Sequence, residues 1–558
     1  MYSLSRRAAP ANRVDIKFKI NNRKVEYTQM NTQKKKHCLA EIFQSGMLFQ
    51  RGKKIVLWGE ASPGETITAA FYRENAPRGT PPFLRGECSA NQDGRFRITL
   101  PPQNAGEGYR LCITFGSTPP AHICLDHIGF GDIWLAGGQS NMEFFLKYDK
   151  DWDETKKLPR NPKIRMYNVP QRAFEGHTTH NKSGYGFWFD DSDPALEYFS
   201  APAYSFSRDI QAAAGIPIGI IGCNWGGSTA SAWVPEEVLC APPLDRYLKE
   251  YREAVCGISS EKLTADSLLA WEFEDSAEHR DDFEPLLYGR GRSWQMEYMK
   301  SHAGDPVIPM GPYHMNRPCG LYHTMLSGLI PFSIKGILWY QGESDAGDYA
   351  FMYDKLLTGL IESWRKLWND NLPFLIVQLA PFGEWLDCDN KGYALVREKQ
   401  AAVAKTVPDV YLAGIMDLGN YYDIHPKEKM EVGRRLALLA RGHIYGEKDL
   451  LCDAPEALCA ALLNKRQILI TFSHAARMDI GPKPSSWNVR AGDRDIKPAD
   501  VTAKGSSLIL TLPEDVPDGF VSLSVSLGDA DYAEIYIRNS AGLSALPFNL
   551  KITQGNSL

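Results

Sequence analysis

A strand that stops at a glycine pair and then presents a serine is the strongest constraint on the fold of this chain. The stretch GDIWLAGGQSNMEF occupies residues 131–144, and its apolar run is typical of a buried strand that Gly137 and Gly138 end in a sharp turn. If a helix begins after the turn, Ser140 faces its N-terminus, where free N–H groups suit a developing oxyanion. Ser140 is equally suited to capping that helix, so this segment alone leaves both roles open.

Strand-like runs recur along the chain and predict the fold class. They lie at 133–136, 217–223, 335–340, 374–379 and 410–416, and helical patterns alternate with them. This alternation predicts an α/β fold with a parallel sheet covered by helices. In such a fold the loops at the carboxyl ends of the strands form the site.

A candidate base for the serine lies in the segment YYDIHPKEKMEVGRRLALLARGHIYG. Asp423 and His425 come just before an amphipathic helical pattern, and Pro426 suits its first turn. A serine nucleophile needs a base to take its proton, and the base needs an acceptor that fixes its tautomer. The chain order Ser140, Asp423, His425 supplies such a set.

Two more strand ends carry groups suited to the same chemistry. Gly226 and Gly227 follow the run at 217–223, and a glycine pair lets the backbone approach a ligand. Gln341 follows the run at 335–340 and offers an amide donor of the kind that holds a tetrahedral oxyanion. Taken singly, a glycine pair after a strand is more often a plain turn, and Gln341 is better explained as a loop amide with its hydrogen bonds satisfied.

Together these blocks resemble the SGNH hydrolase superfamily and, within it, the sialate O-acetylesterase family of carbohydrate esterases. GGQSNM is similar to the family's nucleophile block, NWGGSTASAW to its glycine block, ILWYQGESDA to its third block and DIHPKEKMEVGRRLA to its base block. The resemblance covers roughly residues 40–550, starting with IFQSGMLFQRGKKIVLWGEASPGETI and ending with IYIRNSAGLSALPF.

The resemblance implies an SGNH-type (flavodoxin-like) α/β fold, with a parallel sheet in a three-layer core and β-sandwich-like modules at both ends. It implies hydrolysis of acetyl esters on sugars through an acetyl-serine, without a metal or another cofactor. Carried over to this chain, Ser140 is the nucleophile, His425 the base and Asp423 its orienting acid. The implied oxyanion hole consists of the Ser140 N–H, the N–H of Gly227 (Gly226 as the alternative) and Gln341.

The spacing of acid and base departs from the family pattern. Many SGNH enzymes separate the two by two residues, whereas only Ile424 lies between Asp423 and His425. Glu343 and Asp417 are therefore alternative acids, and a dyad of serine and histidine is a further alternative. The other role open to Glu343 is to hold the loop that carries Gln341.

Length and patterning predict several domains, since 558 residues exceed one typical core. We expect a basic N-terminal extension at 1–39, a β-sandwich at 40–130 and a C-terminal β domain at 447–558. The catalytic domain spans 131–446 and contains an insertion at about 240–318. A lid that selects the substrate is one role open to this insertion, and a solvated helical face is the other.

Charge and cysteine usage exclude some partners and suggest a compartment. A formal net charge of −5 argues against binding nucleic acid through a basic field, and no apolar run is long enough for a membrane span. Eleven cysteines without CxxC spacing argue against a disulfide framework and a structural zinc site. We expect Cys112, Cys124 and Cys223 to be buried thiols and the protein to be cytoplasmic. The sequence leaves a homo-oligomer open.

The expected substrate is an acetylated mono- or oligosaccharide, because Trp225, Trp339 and Tyr340 lie beside the blocks and aromatic faces pack on sugar rings. The carboxylate of sialic acid favours an arginine partner, and the nucleophile, glycine and third blocks contain none. A xylan- or mannan-type oligosaccharide acetylesterase without sialate activity is therefore one alternative. A non-catalytic carbohydrate-binding protein is the other.

Overall fold

The computed structural model describes residues 37–177, 184–276, 284–386, 388–516 and 522–554. Residues 1–36 of the predicted extension at 1–39 lie outside the described residues. Residues 37–138 form strands alone, namely β1 (Cys38–Leu39), β2 (Leu48–Gln50), β3 (Ile55–Glu60), β4 (Thr66–Arg73), β5 (Leu84–Ser89), β6 (Arg95–Leu100), β7 (Gly106–Phe115) and β8 (Ala121–Gly138).

These strands form two sheets that pack face to face. One has the order β1-β3-β6, and the other pairs β4 with β5 and β7, and β7 with β8. In β6 the side chains alternate, so that Arg95 and Arg97 are exposed while Phe96 and Ile98 are buried. Phe96 contacts Phe115 of the opposite sheet with ring centroids 6.0 Å apart. This alternation is what a sheet with one solvated face requires.

A disulfide bond joins Cys112 of β7 to Cys124 of β8. The prediction of buried thiols is therefore wrong for these two residues, while Cys223 is a buried free thiol as expected. The two cysteines lie directly opposite each other in an antiparallel pair, and the sequence does not show this pairing. Disulfides persist in oxidising environments, so this bond weakens the inference from cysteine usage to a reducing compartment. The cytoplasmic location stays a prediction.

The strand β8 pairs with β7 in its first part and continues into the centre of the large parallel sheet, called here the central sheet. The boundary predicted at residue 130 therefore falls within one strand. That sheet adds β9 (Ile164–Asn168), β10 (Trp188–Asp190), β11 (Ile218–Asn224), β12 (Gly336–Tyr340), β13 (Phe374–Val377) and β16 (Val410–Ala413). Its order is β10-β9-β11-β8-β12-β13-β16, and every neighbouring pair is parallel except β10 with β9. The predicted α/β class with a parallel core is confirmed.

Helices cover both faces of this central sheet. The described residues contain α1 (Ser140–Glu143), α2 (Trp152–Thr155), α3 (Ala201–Ala214), α4 (Asp245–Val255), α5 (Ser260–Glu274), α6 (Arg292–Ser301), α7 (Tyr353–Trp368), α8 (Tyr393–Thr406) and α9 (Lys429–His443), of which α3 and α9 lie on one face and α7 and α8 on the other. Trp134 of β8 belongs to the apolar core under α3 and α9, whereas its neighbours Ile133 and Leu135 belong to the core under α7 and α8. None of the described helices is long and apolar enough to span a membrane.

Shorter helical turns complete the central part of the chain. The 3-10 turns are Leu146–Tyr148, Pro194–Tyr198, Ala230–Trp233, Glu236–Leu239, Ser327–Leu329, Glu343–Asp345 and Gly347–Met352, and two turns are of the π type, Pro285–Gly289 and Tyr322–Leu326. A two-stranded hairpin consists of β14 (Glu384–Trp385) and β15 (Cys388–Asp389). The predicted insertion at 240–318 thus contributes α4, α5, α6 and the first π-type turn.

The C-terminal region forms an eight-stranded sheet with its own apolar core. Its strands are β17 (Glu456–Asn464), β18 (Gln467–Ser473), β20 (Trp487–Ala491), β21 (Arg494–Ile496), β22 (Asp500–Lys504), β23 (Ser507–Thr511), β24 (Leu523–Leu527) and β26 (Phe548–Gln554), and β19 (Met478–Asp479) pairs separately with β25 (Arg538–Asn539). Met416, just after β16, packs into this core and so connects the sheet to the central region.

A close contact between α3 and α9 yields a test of this packing. A methyl group on Gly433 of α9 would clash with the Pro202 carbonyl oxygen of α3. We expect Gly433→Ala to force the helices apart and to lower the free energy of unfolding by about 1–3 kcal/mol. Chemical denaturation followed by circular dichroism measures this. Gly328→Ala is the matched control, since nothing lies within 4 Å of its added methyl group. Equal stabilities of the two variants would contradict the packing described.

Candidate active site

The register of three neighbouring parallel strands brings the predicted blocks to one edge of the sheet. Gly138, the last residue of β8, lies opposite Asn224 of β11 on one side and Tyr340 of β12 on the other. Each of these residues ends its strand, so the loops that follow them leave the sheet side by side. The segments that begin at Gln139, Trp225 and Gln341 are therefore neighbours in space.

Gly138 lets the chain turn at this edge. Its φ of +136° is a conformation that side chains rarely adopt, and an added Cβ would clash with the Tyr340 backbone. The turn passes through Gln139, and α1 begins at Ser140, which is 3% exposed. Ser140 thus stands at the carboxyl end of β8 and at the start of a helical turn, as the sequence predicts.

His425 lies beside this serine although 285 residues separate them in the chain. The distance from His425 Nε2 to Ser140 Oγ is 2.9 Å, which is a hydrogen bond. His425 lies in the loop between β16 and α9. The helix begins at Lys429, three residues later than Pro426 suggested, because the N–H groups of Lys429 and Met430 bind the carboxylate of Asp149.

Two aromatic rings enclose the imidazole of His425. The edge-to-face partners are Tyr288, from the insertion, and Trp385 of β14, with ring centroids 5.1 and 5.2 Å from that of His425. Burial lowers the pKa of His425 well below its usual value, and Lys427 and Lys429 lower it further, while the Leu287 backbone acts in the opposite direction. His425 is therefore a neutral base near pH 7.

Asp423 lies close to His425 but holds its backbone rather than its ring. Asp423 Oδ1 accepts the His425 N–H at 2.8 Å and lies 4.0 Å from His425 Nδ1, beyond hydrogen-bonding distance. The same carboxylate pairs with Lys427 at 3.2 Å. The Leu287 backbone lies near the imidazole and favours its cationic form, and no carboxylate of the described residues makes a hydrogen bond to His425 Nδ1.

The two alternative acids bind elsewhere. Both oxygens of Asp417 accept hydrogen bonds from Arg435, and Arg538 adds an ion pair. Glu343 is buried, which raises its pKa, and it accepts a hydrogen bond of 2.6 Å from the side chain of Asn141. Glu343 therefore contacts the residue after Ser140 and not the imidazole.

Asn141 connects three of the blocks, and the sequence analysis did not single it out. Its side-chain amide donates to Glu343 Oε1 and, at 3.0 Å, to the carbonyl oxygen of Ile424. Ile424 is the residue between Asp423 and His425. Asn141 thus holds the loop of the base against the loop of the nucleophile. The sequence feature that could have identified Asn141 is its position directly after Ser140 in the motif GGQSNM.

The glycine block also packs against the nucleophile. An added Cβ on Gly226 would lie 3.3 Å from the Cβ of Ser140, so a larger residue would press on the serine. The Gly226 N–H donates to Glu143 at 2.6 Å, which removes it as the alternative oxyanion donor. Gly227 follows with a φ of +74°, and its carbonyl oxygen accepts a hydrogen bond from Asn316. Glu143 was missed as well, although it lies in the same motif as Ser140.

Gln341 makes several hydrogen bonds through its side-chain amide. Its amide nitrogen donates to Asp345 Oδ2 at 2.5 Å, to Gln139 Oε1 at 3.1 Å and to the Ser228 carbonyl oxygen at 3.2 Å. Its amide oxygen accepts from Tyr353. These partners occupy the amide, and the role of Gln341 as an oxyanion donor stays a prediction. This side chain ties the loops around Ser140 together.

The aromatic residues predicted to bind the sugar are buried. Trp339 and Tyr340 are 1% and 0% exposed and pack on opposite faces of β12, so the prediction is wrong for both. Large aromatic side chains inside a buried strand usually belong to the core, and Trp339 and Tyr340 do so here. Trp225 is also buried, near His177 and Trp271 of the insertion. Its role in binding a sugar stays a prediction.

Comparison with known proteins defines the class of this fold and site. Residues 316–440 match the family profile described as "Carbohydrate esterase, sialic acid-specific acetylesterase". This segment contains Gln341, Asp423 and His425. The match places the chain among the carbohydrate esterases.

Similarity to whole proteins extends this assignment over most of the chain. The sialate O-acetylesterase of Mus musculus is 24% identical over 496 residues, covering 82% of this chain and 83% of the mouse protein. That of Rattus norvegicus is 23% identical over 444 residues, covering 74% of each. The crystal structure of a carbohydrate acetylesterase from Xanthomonas citri covers 92% of this chain and 99% of its own, with a TM-score of 0.67 and 26% identity. Over most of its length the chain is therefore similar to sialate O-acetylesterases and to a carbohydrate acetylesterase.

The burial of His425 yields a test by titration. We expect its imidazole to stay neutral at pH 6, below the usual histidine pKa of about 6.5, because burial and two lysines disfavour its cationic form. Histidine-selective NMR across pH 5–8 measures this, and His425→Gln assigns the signal by its loss. A His425 signal that titrates at or above the usual pKa would contradict the enclosed geometry.

Proposed function

We propose that this protein removes O-acetyl groups from sugars with Ser140 as nucleophile and His425 as base. The hydrogen bond of 2.9 Å between Ser140 Oγ and His425 Nε2 carries the proposal, because it joins two distant residues in the geometry that activates a hydroxyl group. The finer fold assignment, an SGNH-type three-layer core, belongs to the same proposal. Helices on both faces of the parallel sheet support it.

In the first half-reaction Ser140 Oγ attacks the carbonyl carbon of the acetyl ester while His425 Nε2 takes its proton. The carbonyl oxygen becomes an oxyanion, which the Ser140 and Gly227 N–H groups stabilise. The tetrahedral intermediate then expels the sugar oxygen, and His425 gives its proton to that oxygen. The acetyl group remains on Ser140 and the sugar leaves as an alcohol.

In the second half-reaction water replaces the sugar. His425 takes a proton from the water, and the hydroxide attacks the carbonyl carbon of the acetyl-serine. The tetrahedral intermediate then expels Ser140 Oγ, which receives the proton back from His425, and acetate leaves. A neutral His425 is the required starting state in both halves, and the low pKa of this residue supplies it. The rings of Tyr288 and Trp385 exclude bulk water around the imidazole, which strengthens electrostatic interactions at the reacting atoms.

Asp423 is the proposed orienting acid, since its carboxylate oxygen lies nearer to the imidazole than the carboxylates of Asp417 and Glu343, which bind Arg435 and Asn141. When His425 accepts a proton on Nε2, Nδ1 also carries one and needs an acceptor. A closure of about 1 Å brings Asp423 Oδ1 into hydrogen-bonding distance, and such bonds are often long before substrate binds.

The proposed substrate is an acetylated sialic acid, in line with the names of the relatives from mouse and rat. Arg292 of the insertion supports this choice. It pairs with Glu384 at 2.8 Å and lies over the ring of Tyr422 at 4.8 Å, so it stands beside Trp385 and Asp423. Its Nη1 has no hydrogen-bond partner among the described residues, and a sialate carboxylate would supply one. Neutral acetylated oligosaccharides are the second candidate, supported by the carbohydrate acetylesterase of Xanthomonas citri.

The proposal is tested by incubating the protein with acetylated sialic acids, xylo-oligosaccharides and manno-oligosaccharides. Mass spectrometry measures the release of acetate from each. We expect release from the sialic acids, and we expect Ser140→Ala and His425→Ala to lower kcat/KM by at least ~10³-fold because each removes a group that reacts.

The exposed Ser301, on the last turn of α6, offers a matched control. Ser301→Ala should retain full activity. Retained turnover in Ser140→Ala would reject the nucleophile, and release from neutral oligosaccharides alone would reject the sialate assignment.

The role of Asp423 is tested against that of Glu343. We expect Asp423→Asn to lower kcat at least ~10²-fold, because the amide no longer stabilises the imidazolium, while Glu343→Gln keeps an acceptor for Asn141 and loses less than about tenfold. Steady-state kinetics on one acetyl ester measure both. The reverse order of the two losses would assign the acid role to Glu343.

A further inference from the structure

Three side chains with metal-ligating atoms meet at the C-terminal end of α9, far from Ser140, and a fourth lies beside them. They are His443, Cys452, Asp453 and His474, called here the α9-end cluster. Cys452 Sγ lies 3.6 Å from His443 Nε2 and 3.5 Å from Asp453 Oδ2. His443 Nε2 lies 2.9 Å from Asp453 Oδ1, and His474 Nδ1 lies 3.7 Å from Asp453 Oδ2.

These distances are close to the edges of a zinc coordination tetrahedron. With Zn–S of about 2.3 Å and Zn–N and Zn–O of about 2.1 Å, neighbouring ligand atoms lie about 3.4–3.6 Å apart. The separations from Cys452 Sγ to His443 Nε2 and to Asp453 Oδ2 fall in this range, and the distance from His474 Nδ1 to Asp453 Oδ2 exceeds it by 0.1 Å or so. The contact between His443 and Asp453 is shorter because it is a hydrogen bond, which an ion between the two would replace.

The arrangement argues against a catalytic triad of cysteine, histidine and aspartate. In a triad the two ring nitrogens face different partners, so that a proton passes through the ring. Here the same nitrogen, His443 Nε2, faces both Cys452 and Asp453. Donor atoms of His443, Cys452 and Asp453 all lie within 4.8 Å of one another, as the ligands of one ion do.

The surrounding residues hold the cluster in place. The buried side chain of Asn539 donates to the carbonyl oxygens of both Asp453 and His474, at 3.1 and 2.9 Å. Gly442 leaves room for Cys452 Sγ, since an added Cβ would clash with that sulfur. The ring of Tyr411 stacks on His443 with centroids 4.0 Å apart. Partners of this kind orient metal ligands.

We propose that the α9-end cluster is a structural zinc site. Cysteine, histidine and carboxylate are the ligand types that zinc prefers. Three of them, from His443, Cys452 and Asp453, lie together, and a turn of the exposed His474 side chain, 3.7 Å from Asp453, would supply the fourth. His443 ends α9, Cys452 and Asp453 lie in the connection to β17, and His474 follows β18. The ion would therefore fasten the last helix of the central region to the C-terminal sheet. Partial exposure of His443, Asp453 and His474 gives it a path from solvent.

The ligands at 443, 452, 453 and 474 follow no zinc-binding spacing, which is why the sequence argued against such a site. The site is separate from the proposed catalytic residues, because fifteen residues of α9 span about 22 Å at 1.5 Å per residue. A failure of the zinc proposal therefore leaves the esterase proposal untouched.

Metal titration of the full chain tests the proposal. We expect one equivalent of Zn²⁺ to bind the chelator-treated protein, and Co²⁺ in its place to give the thiolate charge-transfer and tetrahedral d–d absorption bands. Cys452→Ser should abolish the charge-transfer band and weaken Zn²⁺ binding at least ~100-fold. Cys459→Ser is the matched control, a nearby cysteine outside the cluster, and should bind as the wild type does.

His474→Ala guards against misfolding of the cysteine variant, because this side chain is 46% exposed and its loss leaves the core intact. We expect it to weaken Zn²⁺ binding at least tenfold and to keep the charge-transfer band. No Zn²⁺ binding by the wild type, or equal binding by wild type, Cys452→Ser and His474→Ala, would overturn the proposal. Ser140-dependent acetate release should be equal in all four proteins at saturating ester.

Discussion

The hydrogen-bonded register between β11, β8 and β12 is the constraint on which the site depends. It sets Asn224, Gly138 and Tyr340 in one row, so that three loops leave the sheet at the same level. A shift of one residue in either pairing would reverse the faces of a strand and move its loop along the sheet. Gly138 allows the row to form, because no side chain fits between its backbone and that of Tyr340.

Buried polar side chains then hold the loops that the register brings together. Asn141 binds Glu343 and the carbonyl oxygen of Ile424, and Gln341 binds Gln139 and Asp345. A buried polar group without a partner costs about 1–3 kcal/mol, so each of these bonds favours one arrangement of the loops over others. Their effect is to hold Ser140 and His425 in contact. This is a positioning role, and it gives the buried Gln341 a structural function beside the nucleophile loop.

The helix α9 relates the two ends of the protein. Its first turn follows the loop of His425 and is held by Asp149, and its last residue, His443, belongs to the α9-end cluster. Between them its apolar side packs against α3 and the central sheet. The C-terminal region therefore holds the C-terminal end of α9, and the loop that carries His425 leads into the N-terminal end of the same helix.

The sequence by itself determined the strands, the glycine turn and the pair Ser140 and His425. These follow from local rules: apolar runs of strand length, glycine where the backbone must approach a neighbour, and residue types that only one chemistry needs together. The carboxyl ends of parallel strands meet at one edge, which is why separate motifs could be assigned to one site. The tertiary structure alone decided what each polar or cysteine side chain meets. Gln341, the Cys112–Cys124 pair and the α9-end cluster depend on contacts between distant segments, and the free energy of such contacts has no local pattern in the chain.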